Sequence, residues 1–313
     1  MRKSAVIAVG GNSLIRAGEK GDIAQQLANT RRTAQAIVAL LRDGLRVVVT
    51  HGNGPQVGAA LLRSERASDQ VYAQPLDVCD AATQGEIGYL LQQSLCNELC
   101  AAGLPCRVVT LLTQVVVSAT DPAMQHPTKP IGPFYSKADA EERARQLGWK
   151  IVEDAARGYR RVVPSPEPID IVEIESIRDL MDDGALVVAV GGGGIPVVRR
   201  PNGGYAGVEA VIDKDRASAL LACRLKTDYF IISTDADCVY RDFKKPTQQA
   251  LGLVGADEIE RDYRDGQFPP GNMGPKIESA LRFLHGGGHE VIITSFEHLP
   301  EALKGKAGTH IVR

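Results

Sequence analysis

Short, almost wholly apolar runs alternate along the chain with longer stretches whose apolar positions recur every three to four residues. The short runs, at residues 4–9, 46–50, 107–117, 185–190, 230–234, 290–294 and 310–312, are dominated by valine, isoleucine and alanine. Strands of that kind lie buried on both faces, as in a parallel sheet. The longer stretches predict helices with recognisable ends. Residues 29–43 place Ile37, Leu40 and Leu41 on one face, start at an Asn/Thr cap and stop before Gly44. Pro55 suits the first turn of a helix carrying Leu61 and Leu62, and residues 76–101 predict a longer helix ending near Gly103. Further helices are expected at 171–183, closed by Gly184, at 214–225 with Asp213 as N-cap, and at 276–284 behind Gly274 and Pro275. Alternation sustained this long predicts an α/β fold, a mostly parallel sheet with helices on both faces.

The pattern breaks once. Between Ser118 and Pro168 the chain carries Pro122, Pro127, Pro130, Pro133, Pro164, Pro166 and Pro168, together with Trp149 and the basic residues Arg157, Arg160 and Arg161. An irregular stretch of this length inside a compact domain reads as a functional lid or a separate subdomain. Within it Lys129 sits between Thr128 and Pro130 on a stiff backbone, which suits a charge reaching into a site from outside. Spacing alone fits a solvated lysine equally well. A polar turn at 200–204 predicts a hairpin tip.

Composition narrows the function classes. At 313 residues the chain holds one large domain or two small ones, and 44% apolar with 24% charged residues is ordinary for a folded globular protein. A net charge of -2 argues against a general nucleic-acid binder but leaves room for a local basic pocket. No apolar run approaches the roughly 20 residues that span a bilayer, and the first residues lead straight into a strand, so no membrane association and a cytoplasmic location are expected. The six cysteines show no CxxC spacing and read as reduced thiols rather than metal ligands. His51 lies in a glycine-rich turn, where a structural role is the simpler reading.

Candidate chemistry gathers at the ends of strands. Three of them run into glycine turns, at Gly10, at Gly52 and at Gly191-Gly192-Gly193-Gly194, and ligands of an open parallel sheet sit at the carboxyl ends of its strands. Four glycines let backbone N–H groups approach an anion with no Cβ in the way. Lys214 and Asp215 would occupy the first turn of a helix, and Lys276 the start of another, where an anion is favoured. Two lysines beside such turns suit phosphoryl transfer, whose transition state asks chiefly for positioning and fixed positive charge. Lys214 between two aspartates also reads as a plain first-turn ion pair, and Tyr240 and Met273 as core. Neither Gly-x-Gly-x-x-Gly after the first strand nor a Walker A sequence is present, so a kinase here would not be of the P-loop type.

Taken in order, a set of motifs resembles the carbamate kinases of the amino-acid kinase superfamily. They are Gly10-Gly11-Asn12, the His51 to Gly58 turn, Gln84-Gly-Glu-Ile-Gly-Tyr89, Lys129-Pro-Ile-Gly-Pro-Phe-Tyr135, the Gly158 to Pro166 stretch, Gly191 to Val197, Gly207 to Asp215, Lys245-Pro246 and Met273-Gly-Pro-Lys276. The resemblance runs nearly end to end. It implies a three-layer α/β/α sandwich around an eight-stranded sheet, forming a single domain over 1–313. It further implies a carbamate-binding lobe at 1–212 that includes a protruding subdomain at 118–168, a nucleotide-binding lobe at 213–313, and a homodimer.

By the same resemblance, Lys214 and Lys276 would neutralise phosphates, Asp215 would orient them, and Lys129 would reach the transferring group. Gly10, Gly11, Asn12, Gly52, Asn53, Gly54 and Gly193 would meet carbamate and the migrating phosphoryl, and Asp235, Tyr240, Met273 and Gly274 the nucleotide. Mg²⁺ would ride on the ATP phosphates without a dedicated protein ligand. The implied reaction is ATP + carbamate ⇌ ADP + carbamoyl phosphate, run toward ATP in arginine or purine-nitrogen catabolism. The alternatives are a related kinase of another small acid and a non-catalytic sensor of nucleotide or carbamoyl phosphate. Ser13, Asn272 and Arg241-Asp242 depart from the usual family residues and flank the expected site.

Overall fold

The structure, a computed structural model, describes residues 2–10, 14–16, 18–153, 158–269 and 273–313. Its central sheet has eight strands in the order Leu253–Gly255, Thr309–Val312, Glu290–Thr294, Tyr229–Ser233, Ser4–Val9, Arg46–His51, Leu186–Val188, Val108–Thr110. Neighbours are parallel throughout except Glu290–Thr294 against Thr309–Val312. The first strand shows why these runs lack a polar face. Ala5, Ile7 and Val9 pack with Ile37, Leu40, Ile87 and Leu91 of the helices Ile23–Arg42 and Leu76–Ala101. Val6 and Ala8 point the other way, into a cluster with Ile177, Leu221, Ile277 and Phe283 of the helices Ile174–Asp182, Lys214–Leu225 and Met273–His285. Full burial of each valine, leucine, isoleucine or phenylalanine among them contributes about 1.5–3 kcal/mol, so both faces are held by substantial cores. The expected α/β/α sandwich is present. None of its helices, among the described residues, is long and apolar enough to cross a membrane.

Three local expectations are corrected. The helix expected at 29–43 begins at Ile23, where the Asp22 side chain accepts from the Gln25 N–H at 2.9 Å. Its first half has no clear apolar stripe because it is anchored by polar groups: buried Asn29 donates to Glu19 at 2.7 Å, and buried Thr30 donates to the Gln26 carbonyl. The single strand expected over 107–117 is two strands. Val108–Thr110 pairs with Leu186–Val188 in the main sheet, whereas Gln114–Val116 pairs with residues 195–197 of Ile195–Arg199 in a separate four-stranded sheet. Between them the backbone of Thr113 is clamped by the Gln84 amide, and the Thr113 hydroxyl accepts from the Val190 N–H. Lastly, the helix expected at 171–183 starts at Ile174, because Asp170–Ile171 is drawn into an antiparallel pairing with Val115 and Val116.

Within 118–168, the described residues carry a small sheet separate from the main one. Lys129–Tyr135, Tyr159–Val163 and Lys150–Glu153 make a three-stranded antiparallel sheet, accompanied by the helix Lys137–Leu147, which Ser136 caps. The sheet docks on the helix Gly54–Arg66, where Gly58 lies so close to Gly132 that a Cβ at Gly58 would overlap its backbone. Arg161 pairs with Glu65 at 2.7 Å and lies over the Trp149 ring. Lys129 is therefore the first residue of an anchored strand, not part of a free loop.

Candidate active site

The parallel register of Ser4–Val9, Arg46–His51, Leu186–Val188 and Tyr229–Ser233 brings the turns after these strands to one edge of the sheet. The tetraglycine turn ties them together. Gly192 and Gly193 have φ of 69° and 96°, in the left-handed region, and a side chain at Gly192 would run into the Asn53 amide, one at Gly193 into the Ile212 carbonyl. The turn is thus wedged between Asn53 on one side and the approach to Asp213 on the other. Gln84 pins it, donating to the Gly191 carbonyl at 2.8 Å. Gly10 passes close under the Ser233 carbonyl, and the Gly52 N–H is bonded to the Val9 carbonyl at 3.2 Å. Gly11, Asn12, Ser13 and Asn272 lie outside the described residues.

Lys129, the Asp213-Lys214-Asp215 segment and Lys276, far apart in sequence, form one chain of charges. Asp213 caps the helix Lys214–Leu225 with Oδ1, which accepts from the Asp215 and Arg216 N–H groups at 2.9 and 3.3 Å, and takes the Lys129 ammonium on Oδ2 at 2.6 Å. Asp215 in turn accepts from Lys214 on Oδ1 at 2.5 Å and from Lys276 on Oδ2 at 3.0 Å. Burial opposes ionisation of both carboxyls. The charges of Lys129 and Lys214 on Asp213, and of Lys214 and Lys276 on Asp215, outweigh it and hold both below the usual carboxylate range. Burial also pushes Lys214 down, against the pull of Asp215, whereas for Lys276 the attraction of Asp215, helped by Asp213 and Asp235, exceeds the burial penalty and raises it.

A second buried polar group underlies the turn 52–54. Asn53 stands at the N-cap position of the helix Gly54–Arg66 yet makes no cap bond with its side chain; its amide donates instead to Asp80 and, at 2.8 Å, to Thr83. The start of that helix is left uncapped by its own N-cap residue, with its dipole available to an anion. Asp80 is fully buried, its second oxygen has no partner among the described residues, and burial drives its carboxyl well above the ordinary range. Burial likewise pushes His51 down to about 4, leaving a neutral ring whose Nδ1–H donates to the Gly52 carbonyl at 3.1 Å and whose other edge abuts Gly191. That agrees with a structural His51. Asp80 was not singled out from the sequence, although Asp80, Thr83 and Gln84 fall on the buried face of their helix beside Leu76 and Ile87, an unusual run of polar residues for a core-facing stripe.

Beyond Lys276 lies a cavity of about 440 Å³ lined by Thr234, Asp235, Asp237, Tyr240, Phe243 and Met273, among others. The Tyr240 and Phe243 ring centroids are 5.9 Å apart with the rings tilted by 36°, giving an aromatic wall. Asp235, Tyr240 and Met273 are thus brought together. Gly274 does not line the cavity, and its N–H is committed to the Pro269 carbonyl at 3.0 Å. Arg241 points elsewhere, bridging Glu258 and Asp262 on the helix Ala256–Arg264.

Lysines locked onto buried carboxylates, an uncapped helix start facing the same edge and a cavity alongside suit phosphoryl transfer and use no P-loop. The chain belongs to the amino acid kinase family, which it matches over residues 3–295. It is 49% identical to the carbamate kinase of Thermococcus kodakarensis, over 99% of each chain, and 50% identical to that of Staphylococcus haemolyticus, over 98% of each. Among solved structures it is similar to the carbamate kinase from Giardia lamblia bound to AMP-PNP, with 43% identity and a TM-score of 0.92 over 99% of this chain and 98% of that one.

Proposed function

We propose that the chain is a carbamate kinase, catalysing ATP + carbamate ⇌ ADP + carbamoyl phosphate. The observation that carries this reading is the chain of three lysines held on two carboxylates at one helix start. A carbamate oxygen attacks the γ-phosphorus in line, the bond from phosphorus to the oxygen bridging to ADP breaks, and no covalent enzyme intermediate is required. Lys214 and Lys276 carry counter-charge for the migrating group. Because Asp215 already orients both, they need no rearrangement as charge develops. Lys129 delivers a third ammonium from the 118–168 subdomain. The turn 52–54 and the uncapped start of Gly54–Arg66 offer backbone donors to carbamate, with Gly10 and Gly193 and, by the family resemblance, Gly11 and Asn12 as further contacts. The aromatic wall at Tyr240, with Met273, takes the base.

Mg²⁺ would be held by the phosphate oxygens of the nucleotide and would supply charge neutralisation there. The carboxylates nearest the site, Asp213 and Asp215, are both committed to lysines, which suits a metal held by phosphate oxygens rather than by the protein. On this reading residues 1–212 serve carbamate and 213–313 the nucleotide, and the enzyme works in the cytoplasm in the ATP-forming direction. It does so as a homodimer, for which the helix Leu76–Ala101 offers exposed Val78 and Tyr89.

Coupled ATP formation from ADP, Mg²⁺ and carbamoyl phosphate, run beside acetyl phosphate and N-acetylglutamyl phosphate, tests the proposal. Selective turnover of carbamoyl phosphate, lost in Lys276→Ala, is expected. Preference for another donor would make the chain a kinase of a different acid, and nucleotide binding without turnover of any donor would make it a sensor.

A further inference from the structure

Lys129 is the only one of the three site lysines that does not start from a helix bordering the sheet. Its backbone is fixed, since Lys129 and Pro130 pair with Val163 and Val162 in the small sheet. Its four-carbon stem is free to swing, so something must decide where its charge arrives. The segment leading into Asp213 meets the same small sheet at two further points. The Val211 N–H donates to the Pro164 carbonyl at 2.9 Å, and Val211 shares one buried apolar cluster with Ile131 and Val163. Asp213 therefore stands on a rigid joint between the 118–168 subdomain and the Lys214 helix. Its Oδ1 is held by two helix N–H groups whether or not a lysine is present, which leaves Oδ2 aimed at the Lys129 ammonium. The cap and the anchor are one carboxylate.

We infer that Asp213 is a positioning residue: it docks the Lys129 ammonium at the start of the Lys214 helix and so sets where that charge meets the transferring phosphoryl group. The inference rests on the role proposed above for Lys129. An alternative in which Asp213 matters only as a helix cap makes a different prediction, because Asn and Ser also cap well. Neither of them offers a charged acceptor to a lysine.

The test is a double-mutant cycle read by steady-state kinetics in the ATP-forming direction, using Asp213→Asn, Asp213→Ser, Lys129→Met and the double variant Asp213→Asn/Lys129→Met. Thermal unfolding of each variant confirms that the helix cap survives. Misplacement of a catalytic charge by about an ångström lowers kcat on the order of 10–100-fold, which is the effect expected for both Asp213 variants, with the KM for ADP unchanged. On top of Lys129→Met, the Asp213 substitution should add nothing, since its effect passes through that lysine. Losses that multiply in the double variant, or wild-type kcat in Asp213→Asn and Asp213→Ser, would overturn the positioning role while leaving Lys129 in the mechanism. Wild-type activity in Lys129→Met would instead remove Lys129 from the mechanism, and the inference with it.

Discussion

At the start of the helix Lys214–Leu225, Asp215 lies against Lys214 and Lys276; beneath the start of the helix Gly54–Arg66, Asp80 lies against Asn53 and Thr83. Both carboxyls are removed from water, at 4% and 0% exposure, and both sit on the edge of the sheet where the glycine turns converge. Their protonation goes opposite ways. Two ammonium groups hold Asp215 ionised against its burial, whereas the single neutral amide of Asn53 cannot do the same for Asp80. Burial opposes the charge in both places, and the neighbours decide whether a counter-charge offsets it. The site is accordingly divided. Fixed charge is concentrated where the phosphoryl group would move, and on the side that would receive the small acceptor burial disfavours charge on both Asp80 and His51, leaving backbone donors to do the binding.

Removing the carboxylate from the charged side should have the largest effect. Asp215→Asn strips two buried lysines of their counter-ion, and loss of one partner from a buried ion pair costs on the order of 3–5 kcal/mol. Loss of the orientation it gives both lysines should also lower ATP formation by at least about 100-fold. Urea unfolding beside the coupled assay measures both, and a stable, active Asp215→Asn protein would show that the lysines are oriented by something else.

On the neutral side, acid should be the more damaging condition. His51 is held at about 4 in the folded chain against an ordinary 6.5, so below pH 6.5 the unfolded chain binds a proton that the folded one refuses. Stability therefore falls as pH drops from 6.5 toward 4, by about 3 kcal/mol at about 1.4 kcal/mol per unit. Unfolding of the wild type and of His51→Gln across that range checks it: the variant should lose the acid slope. An unchanged slope would mean that His51 is protonated in the folded state.

Asp80 should give the smallest effect and the opposite sign. Its folded-state affinity for a proton is raised, so the folded chain binds more protons than the unfolded one above the ordinary carboxylate range, and stability falls as pH rises through that window. Asp80→Asn keeps an acceptor for Asn53 and removes the charge. It should stabilise the protein by about 1 kcal/mol at pH 8, a typical size for a single substitution, and the gain should vanish near pH 4. A destabilising Asp80→Asn at pH 8 would mean that the carboxylate is ionised and paired.

The strands, the glycine turns and the lysine-bearing helix starts were legible because each is a local signal. A run such as Val6-Ile7-Ala8-Val9 has no polar face whichever way it is turned, and a capping aspartate lies next to the helix it starts. The early start of the helix Ile23–Arg42 was not legible, because polar Asn29 and Thr30 are buried by partners rather than by character. The switch of sheets at Thr113 was hidden in an unbroken apolar run, since both sheets want the same residues. Asp80 carried only a faint signal, and Asp213 read as a cap because only its local bonds can be inferred from neighbouring positions.

By itself, then, the sequence determined the α/β alternation, the stops and starts of most elements and the residue types available for handling phosphate, all of which follow from periodicity, propensity and short-range hydrogen bonding. What only the tertiary structure decided is which of those groups meet. Lys129 and Asp213 are 84 positions apart, Asp215 and Lys276 are 61, and Asn53 and Asp80 are 27. Whether a buried aspartate is charged or neutral depends on the cation or amide that folding places a few ångströms away, and Coulomb energy in a low-dielectric interior is set by that distance in space, not by any distance along the chain.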